Sequence, residues 1–248
     1  MVTFIKEKNM LERSEIMKGK IIVVEGTDCS GKETQTRLLT ERLNNENIKT
    51  VRISFPMYDT PTGRIIGACL LGKPDMCNEF LKTEHSFFPE GGGNVDSLAA
   101  SAFYAADRRY NLPIIEKYLN EGYTVLIDRY VTSNMAHRGG LIDSKEERLK
   151  FYKKMELLEY EILELPRPDK TILLYLPYEY ACELKKNRKE VPDEAESNKE
   201  YLLKGEKTYL ELAKIYNYDV IDCVKDDKIR TIEDINEEVY QKVKKLVR

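Results

Sequence analysis

No apolar run in this 248-residue chain approaches the roughly 18 to 20 residues needed to cross a bilayer. The first 20 residues carry Lys6, Glu7, Lys8, Glu12, Arg13 and Glu15 where a signal peptide requires an apolar stretch. The expectation is a cytoplasmic protein without a membrane segment. The five cysteines (Cys29, Cys69, Cys77, Cys182, Cys223) form no CxxC pair and are widely scattered, which argues against a disulfide framework or a zinc site and for reduced thiols. There is no charge of one sign in excess: 40 Lys and Arg face 43 Asp and Glu, a formal charge of −3. No sequence-wide field attracts a nucleic-acid polymer or anionic lipid, so any polyanion site must be local. Internal repeats are absent as well.

What is present is enough apolar side chain for a core, 42% against 33% charged residues, and this excludes disorder as the main state. Short β-branched runs alternate with longer amphipathic ones, the pattern of βαβ units in an α/β fold with a parallel sheet. Strands are expected at 20–25, 49–54, 124–128, 170–176 and 219–222. Ile21-Ile22-Val23-Val24, Val125-Leu126-Ile127 and Ile172-Leu173-Leu174 are continuous apolar runs, as strands covered on both faces by helices should be. Right-handed crossovers then collect the C-terminal ends of the strands on one edge, where ligands of such folds bind.

Three segments depart from this alternation. Residues 73–96, with Gly91-Gly92-Gly93, show neither period and predict a long loop. Residues 183–200 mix Lys185, Lys186, Arg188 and Lys189 with acids, and predict an exposed helix end and loop, either a solvated face or a lid. The first 16 residues precede Met17 and are either an N-terminal extension or the product of a start codon set too far upstream; a single domain is expected over 17–248.

The sharpest motif is Gly26-Thr27-Asp28-Cys29-Ser30-Gly31-Lys32, a GxxxxGK phosphate loop between an apolar strand and a predicted helix. Glycines let the backbone wrap a phosphate, successive N–H groups and the helix N-terminus supply positive potential, and Lys32 reaches the outer phosphates. The ATP-binding stretch is expected to run on through Glu33 and Thr34. The residue after the lysine is ordinarily Ser or Thr, whose hydroxyl ligates Mg²⁺. Here it is Glu33, which without a metal repels phosphate by about 4 kcal/mol at 4 Å and an effective dielectric of 20. The expectation is that Glu33 acts through Mg²⁺ with Thr34 offering its hydroxyl to phosphate; the alternative is a helix-start acid favoured by the dipole. Asp128-Arg129-Tyr130 closes the third strand beside this loop, placing Asp128 where a second metal-positioning acid is required.

In order and approximate spacing, EGTDCSGK (25–32), FPMYDTPTG (55–63), YAADRR (104–109), DRYVTSNMA (128–136) and RPDKTILL (167–174) resemble thymidylate kinases, a branch of the P-loop nucleoside monophosphate kinases. The resemblance runs from about Lys18 to the C-terminus. It implies a three-layer P-loop NTPase fold with a five-stranded parallel sheet in the order 2-3-1-4-5. It further implies transfer of the γ-phosphoryl of ATP to thymidine monophosphate with Mg²⁺, and a homodimer. By position, Asp28 approaches the sugar and phosphate of the acceptor, Arg129 grips its phosphate, Tyr104 faces the base and Arg108 contacts a thymine carbonyl. Phe55 belongs to the acceptor-side loop, and Ser133 and His137 follow the DRY motif on the acceptor side. The catalytic set is expected to be Lys32, Asp128, Arg129 and a lid cation, Arg188, with Lys185 or Lys186; the metal ligands are Glu33 and Asp128.

Several positions leave the family pattern. The acceptor-side arginine is missing near Met57 or Tyr58, with Arg64 a possible replacement, and His137 and Arg138 stand where an aromatic and a glutamine are common. Tyr104 has a reading as core and Arg108 as a partner of Asp107. A kinase for another monophosphate or a deoxynucleoside, or a degenerate nucleotide-binding regulator, therefore stays open at this stage. A GTPase switch does not fit, because Asn187-Arg188-Lys189-Glu190 ends in Glu where NKxD requires Asp.

Overall fold

The computed structural model describes residues 19–73, 88, 91–186 and 198–247. Its centre is a parallel sheet of five strands in the order β2-β3-β1-β4-β5. The strands are β1 (Lys20–Gly26), β2 (Thr50–Ser54), β3 (Thr124–Asp128), β4 (Lys170–Tyr175) and β5 (Asp219–Asp222). In the central register Val23 lies opposite Ile127 and Val24 opposite Ile172. Every strand anticipated from β-branched runs is present, with ends moved by no more than a residue.

Why these runs form inner strands follows from the pleat, which sends alternate side chains to opposite faces. Ile21 and Val23 join one apolar cluster with Val125, Ile127 and Leu173, while Ile22 and Val24 join another with Leu126, Ile172 and Leu174. Against the second face lie α1 (Lys32–Asn45), through Leu39 and Leu43, and the C-terminal helix (Ile232–Val247), through Val239 and Val243. The first face is covered by the helix Ser97–Asn120, through Leu112, Ile115 and Leu119, and by α-helical segments carrying Met135 and Leu212. Both faces are covered by apolar side chains, so a polar residue at these strand positions would be buried among them.

The remaining elements, in chain order, complete the numbering. α2 (Pro61–Ile65) runs into a π turn at Ile66–Leu70, and the Ser97–Asn120 helix is α3. α4 (Val131–Gly139) follows β3, and α5 (Lys145–Glu156) ends in a π turn at Leu157–Ile162. α6 (Tyr178–Lys186) and α7 (Lys199–Tyr216) take up the two ends of the 183–200 segment, and the C-terminal helix is α8. Two short antiparallel strands, β6 (Val224–Lys225) and β7 (Lys228–Ile229), form a hairpin that the strand reading of the sequence does not include.

Two features bring the loops to the strand ends. Asp107 of α3 is buried and accepts hydrogen bonds from the Met57 amide (2.9 Å) and the Thr62 hydroxyl (2.6 Å), which stitches the 55–63 loop to the helix. Arg138 of α4 donates to the carbonyls of Gly92 and Gly93, each at 3.2 Å, and so holds the end of the long loop against the sheet edge. The residues of 73–96 before Gly91, apart from Lys73 and Phe88, lie outside the described residues, as do residues 1–18.

Candidate active site

The phosphate loop leaves β1 through a point where no side chain fits. A Cβ on Gly26 would meet the Ser30 hydroxyl at 2.4 Å and the Leu174 carbonyl at 2.8 Å. Cys29 (φ 54°) and Gly31 (φ 80°) carry the backbone through the left-handed region, which glycine tolerates best. Thr27 ties the loop to the end of β4, its hydroxyl donating to the Leu176 carbonyl at 2.7 Å and accepting the Leu176 amide at 2.8 Å.

Inside the loop, the Lys32 ammonium is buried and donates to the carbonyls of Gly26 (3.0 Å) and Thr27 (2.9 Å). Burial, reinforced by Arg129, lowers its pKa to about 8. The Ser30 hydroxyl is enclosed without a hydrogen-bond partner among the described residues. A buried hydroxyl and a desolvated ammonium without a carboxylate partner suit a ligand bearing anionic oxygens.

A cleft of about 630 Å³ opens beside this loop, lined by Lys32, Glu33, Thr34, Arg52, Asp128 and Arg129 among others. A smaller pocket of about 130 Å³ adjoins it and brings together all seven residues expected on the acceptor side: Asp28, Phe55, Tyr104, Arg108, Arg129, Ser133 and His137. Asp28, Phe55, Pro56, Tyr58 and Arg129 line both, so the two cavities meet at the end of the sheet.

The individual placements refine the expectations. Burial raises the Asp28 pKa, but the contact with Lys185 (2.5 Å) and the nearby Lys32 and Arg129 bring it below the usual value. Arg129 has φ 66° and its Nη1 lies 3.5 Å from His137 Nε2. Burial opposes its charge, but Tyr209, Asp128 and Glu25 hold it protonated. Tyr104 lines the pocket and also packs on the Ile66, Leu70, Val95 and Ala100 cluster, so its core and pocket readings coexist. Ser133 reaches the pocket edge with its hydroxyl donated to Glu25 at 2.7 Å. His137 stacks on Tyr201 at 5.5 Å, and its Nδ1 is enclosed without a partner among the described residues. Burial, followed by Arg129, Lys32 and Arg138, lowers its pKa to about 3, so it is neutral at physiological pH.

Two expectations change, and a third falls outside the described residues. Arg108 pairs with Glu159 of the π turn and not with its neighbour Asp107, through Nε (2.5 Å) and Nη2 (2.7 Å), both side chains being buried. Two donors of the guanidinium are thus committed to a carboxylate before any base arrives. Arg64 is exposed and lines neither cavity, so it does not replace the missing acceptor-side arginine. Arg188 and the Lys186 side chain lie outside the described residues; Lys185 of α6 is the cation of that segment seen at the loop.

The Arg108 pair carries a testable cost. Among the described residues, Arg108→Ala leaves the buried Glu159 carboxylate with Asn134 Nδ2 (3.0 Å) as its remaining side-chain donor. A loss of about 3 to 5 kcal/mol in unfolding free energy is expected from denaturant titration. A loss under 1 kcal/mol would show that the pair does not hold this region together.

Comparison with known proteins places the chain. A family model described as Thymidylate kinase matches residues 24–236. The chain belongs to the thymidylate kinase family. The thymidylate kinase of Plasmodium falciparum (isolate 3D7) is 30% identical over 229 residues, covering 92% of this chain and 91% of that one. That of Brachyspira hyodysenteriae is 30% identical over 213 residues, 86% of this chain and 89% of the relative. The solved structure of the thymidylate kinase from Candida albicans has the same fold, with a TM-score of 0.67, 23% identity and 92% coverage of each chain. As a member of the family the chain is a phosphotransferase acting on thymidine monophosphate with ATP.

Membership sharpens which neighbours matter. Glu25, Arg52, Tyr58, Arg138 and Tyr201 all stand at or beside the cavities and were not among the expected site residues. Glu25 was the most accessible of them to sequence reasoning, as an acid at the end of an apolar strand directly before the phosphate loop. The family's metal also fits the donor set. Asp128 and Glu33 offer carboxylate oxygens at the cleft, while no group of three or more His, Cys, Asp and Glu converges among the described residues. Mg²⁺ characteristically takes one or two carboxylates and completes its shell with substrate phosphates and water. No helix among the described residues is long and apolar enough to cross a membrane.

Proposed function

We propose that the two adjoining cavities perform an in-line transfer of the γ-phosphoryl of ATP to the phosphate of thymidine monophosphate, with Arg129 acting on both substrates. The observation that carries this reading is the sharing of Asp28 and Arg129 between the phosphate-loop cleft and the acceptor pocket. An oxygen of the acceptor phosphate forms the new bond to the γ-phosphorus, the bond to the bridging oxygen of ATP breaks, and ADP leaves. The acceptor phosphate is largely ionised at neutral pH, so it is already a nucleophile and needs no general base.

The work of the protein is electrostatic. Lys32 and the loop amides hold the donor phosphates, and Arg129 offsets the repulsion between two polyanions. Asp128 and Glu33 would hold Mg²⁺, which when bound neutralises charge on the transferred group. Phe55 and Tyr104 supply an apolar wall for a pyrimidine, and neutral His137 adds no charge next to it. Lys185 would exchange Asp28 for a substrate phosphate, which gives α6 the position of a lid hinge in this reading; Arg188 remains the proposed lid cation.

The organisation proposed with this activity is one kinase domain over 17–248 after an N-terminal extension, as a cytoplasmic homodimer. The exposed Phe103, Tyr110 and Ile114 of α3 support a subunit contact, and Cys29, Cys69, Cys182 and Cys223, none of which forms a disulfide among the described residues, suit a reducing compartment.

ADP production by the purified chain, with ATP and Mg²⁺ over a panel of nucleoside monophosphates and nucleosides, tests the activity, with Lys32→Ala as control. Turnover on thymidine monophosphate that is lost in the control is the expected result. Lys32-dependent turnover restricted to a different acceptor would overturn the acceptor assignment, and nucleotide binding without any turnover would overturn catalysis.

A further inference from the structure

Arg52 belongs to no motif of the chain, yet it lines the phosphate cleft. It lies on β2 opposite Leu126 of β3. Its Nε donates to the Thr36 hydroxyl at 2.9 Å, and its Nη2 donates to Asp128 Oδ2 at 3.2 Å. The same Nη2 is 3.9 Å from Glu33 Oε1. Thr36 sits one turn after Glu33 on α1, so the guanidinium is anchored between helix and sheet with its third contact on the acid that departs from the family pattern.

Charge arithmetic gives this placement a consequence. The cleft is lined by the cations Lys32, Arg52 and Arg129 and the acids Asp28, Glu33 and Asp128. Without Arg52 the residues lining this cavity, read here as a polyphosphate site, hold three acids against two cations. We propose that Arg52 is a positioning residue that compensates Glu33 and holds the Asp128 carboxylate at the sheet edge, so that this phosphate loop can carry an acid after its lysine. The inference rests on the reading of the cleft as the nucleotide site.

A guanidinium keeps its proton throughout the accessible pH range, so the compensation operates whether or not a metal is present. Mg²⁺ arriving with a nucleotide brings two further positive charges to the same carboxylates. Arg52 therefore matters most for nucleotide that binds without metal. A merely structural arginine would weaken both forms of the ligand alike.

Calorimetric titration of the full chain with ADP, once in EDTA and once in excess Mg²⁺, separates these cases. Arg52→Gln is expected to weaken metal-free ADP binding by about tenfold, the factor for 1.4 kcal/mol, and Mg·ADP binding by less than about threefold. Adding Glu33→Ser to Arg52→Gln should recover most of the metal-free loss. Arg52→Lys, which retains the charge, should stay within about threefold of the unaltered protein in EDTA. Thermal melting of each variant identifies loss of fold, and the lysine variant keeps the test readable if the glutamine variant is unstable. Equal losses with and without Mg²⁺, or a double variant no better than Arg52→Gln, would overturn the assignment. Failure of the unaltered chain to bind ADP at all is a different result, which takes down the nucleotide reading of the cleft and this inference with it.

Discussion

Replacing Arg129 by alanine is expected to lower kcat by about 10³- to 10⁵-fold, the range attributed to an arginine that stabilises a phosphoryl-transfer transition state. The geometry behind this expectation is its position on the boundary of both cavities, at the turn directly after β3. Its amide donates to the Val24 carbonyl at 3.2 Å, so the backbone that aims the side chain belongs to the sheet and survives the substitution. The melting temperature should therefore change by no more than about 4 °C, the shift associated with 1 kcal/mol in a chain of this size. Arg129→Lys should recover only part of the rate, because an ammonium cannot reproduce the forked donors of a guanidinium. Steady-state kinetics with thymidine monophosphate and ATP, together with a melting curve, decide the matter. A kcat within tenfold of the unaltered enzyme would remove Arg129 from the reaction.

The second large effect concerns a residue that touches neither substrate in this reading. Glu25 is fully buried at the end of β1 and accepts hydrogen bonds from the amides of Tyr130 (2.8 Å) and Ser133 (3.2 Å) and from the hydroxyls of Ser133 (2.7 Å) and Tyr209 (3.1 Å). One carboxylate thus fastens the start of α4, and the turn carrying Arg129, to the strand that launches the phosphate loop. Glu25→Ala leaves these donors inside the protein without their acceptor, at about 1 to 3 kcal/mol for each group that water cannot reach. A loss of at least 4 kcal/mol in stability is expected, roughly a 10 °C fall in Tm. In the fraction that stays folded, kcat should fall more than the KM for ATP changes, because the loop survives while Arg129 loses its support. Glu25→Gln keeps the shape and one carbonyl oxygen, and is expected to lose less than half as much stability as Glu25→Ala. An alanine variant with unaltered Tm would sink the account of Glu25 as the link between the two halves of the site.

The strands and the phosphate loop were legible for a local reason. Ile21 to Val24 and Ile172 to Leu174 are apolar at every position because both faces of the sheet are covered, and that requirement is written residue by residue. GxxxxGK at the end of such a run leaves few backbone paths, and the structure follows the expected one from Gly26 to Lys32. The hairpin β6-β7 was not legible, since two-residue strands carry no period to detect.

Contacts between distant segments account for the residues that were missed or changed. Arg108 was expected to answer to a base or to its neighbour Asp107; its partner Glu159 is 51 positions away and becomes adjacent only when α3 packs near the π turn. Arg52 looked like an ordinary strand residue until β2 was placed beside β3 and below α1. Lys185 was one of several basic residues in a charged run, and only the fold sets it against Asp28. Arg64 failed as a replacement because its helix turns it to solvent.

The amino-acid sequence by itself determined the class of fold, the order of strands and helices, the phosphate loop and the family, since each depends on patterns within a few consecutive residues. The tertiary structure alone decided which charge answers which: Arg52 to Asp128 and Glu33, Arg108 to Glu159, Glu25 to the start of α4. Ionic and hydrogen-bonded partners are chosen by distance in space, and a chain folded through parallel crossovers brings together groups that its sequence keeps far apart.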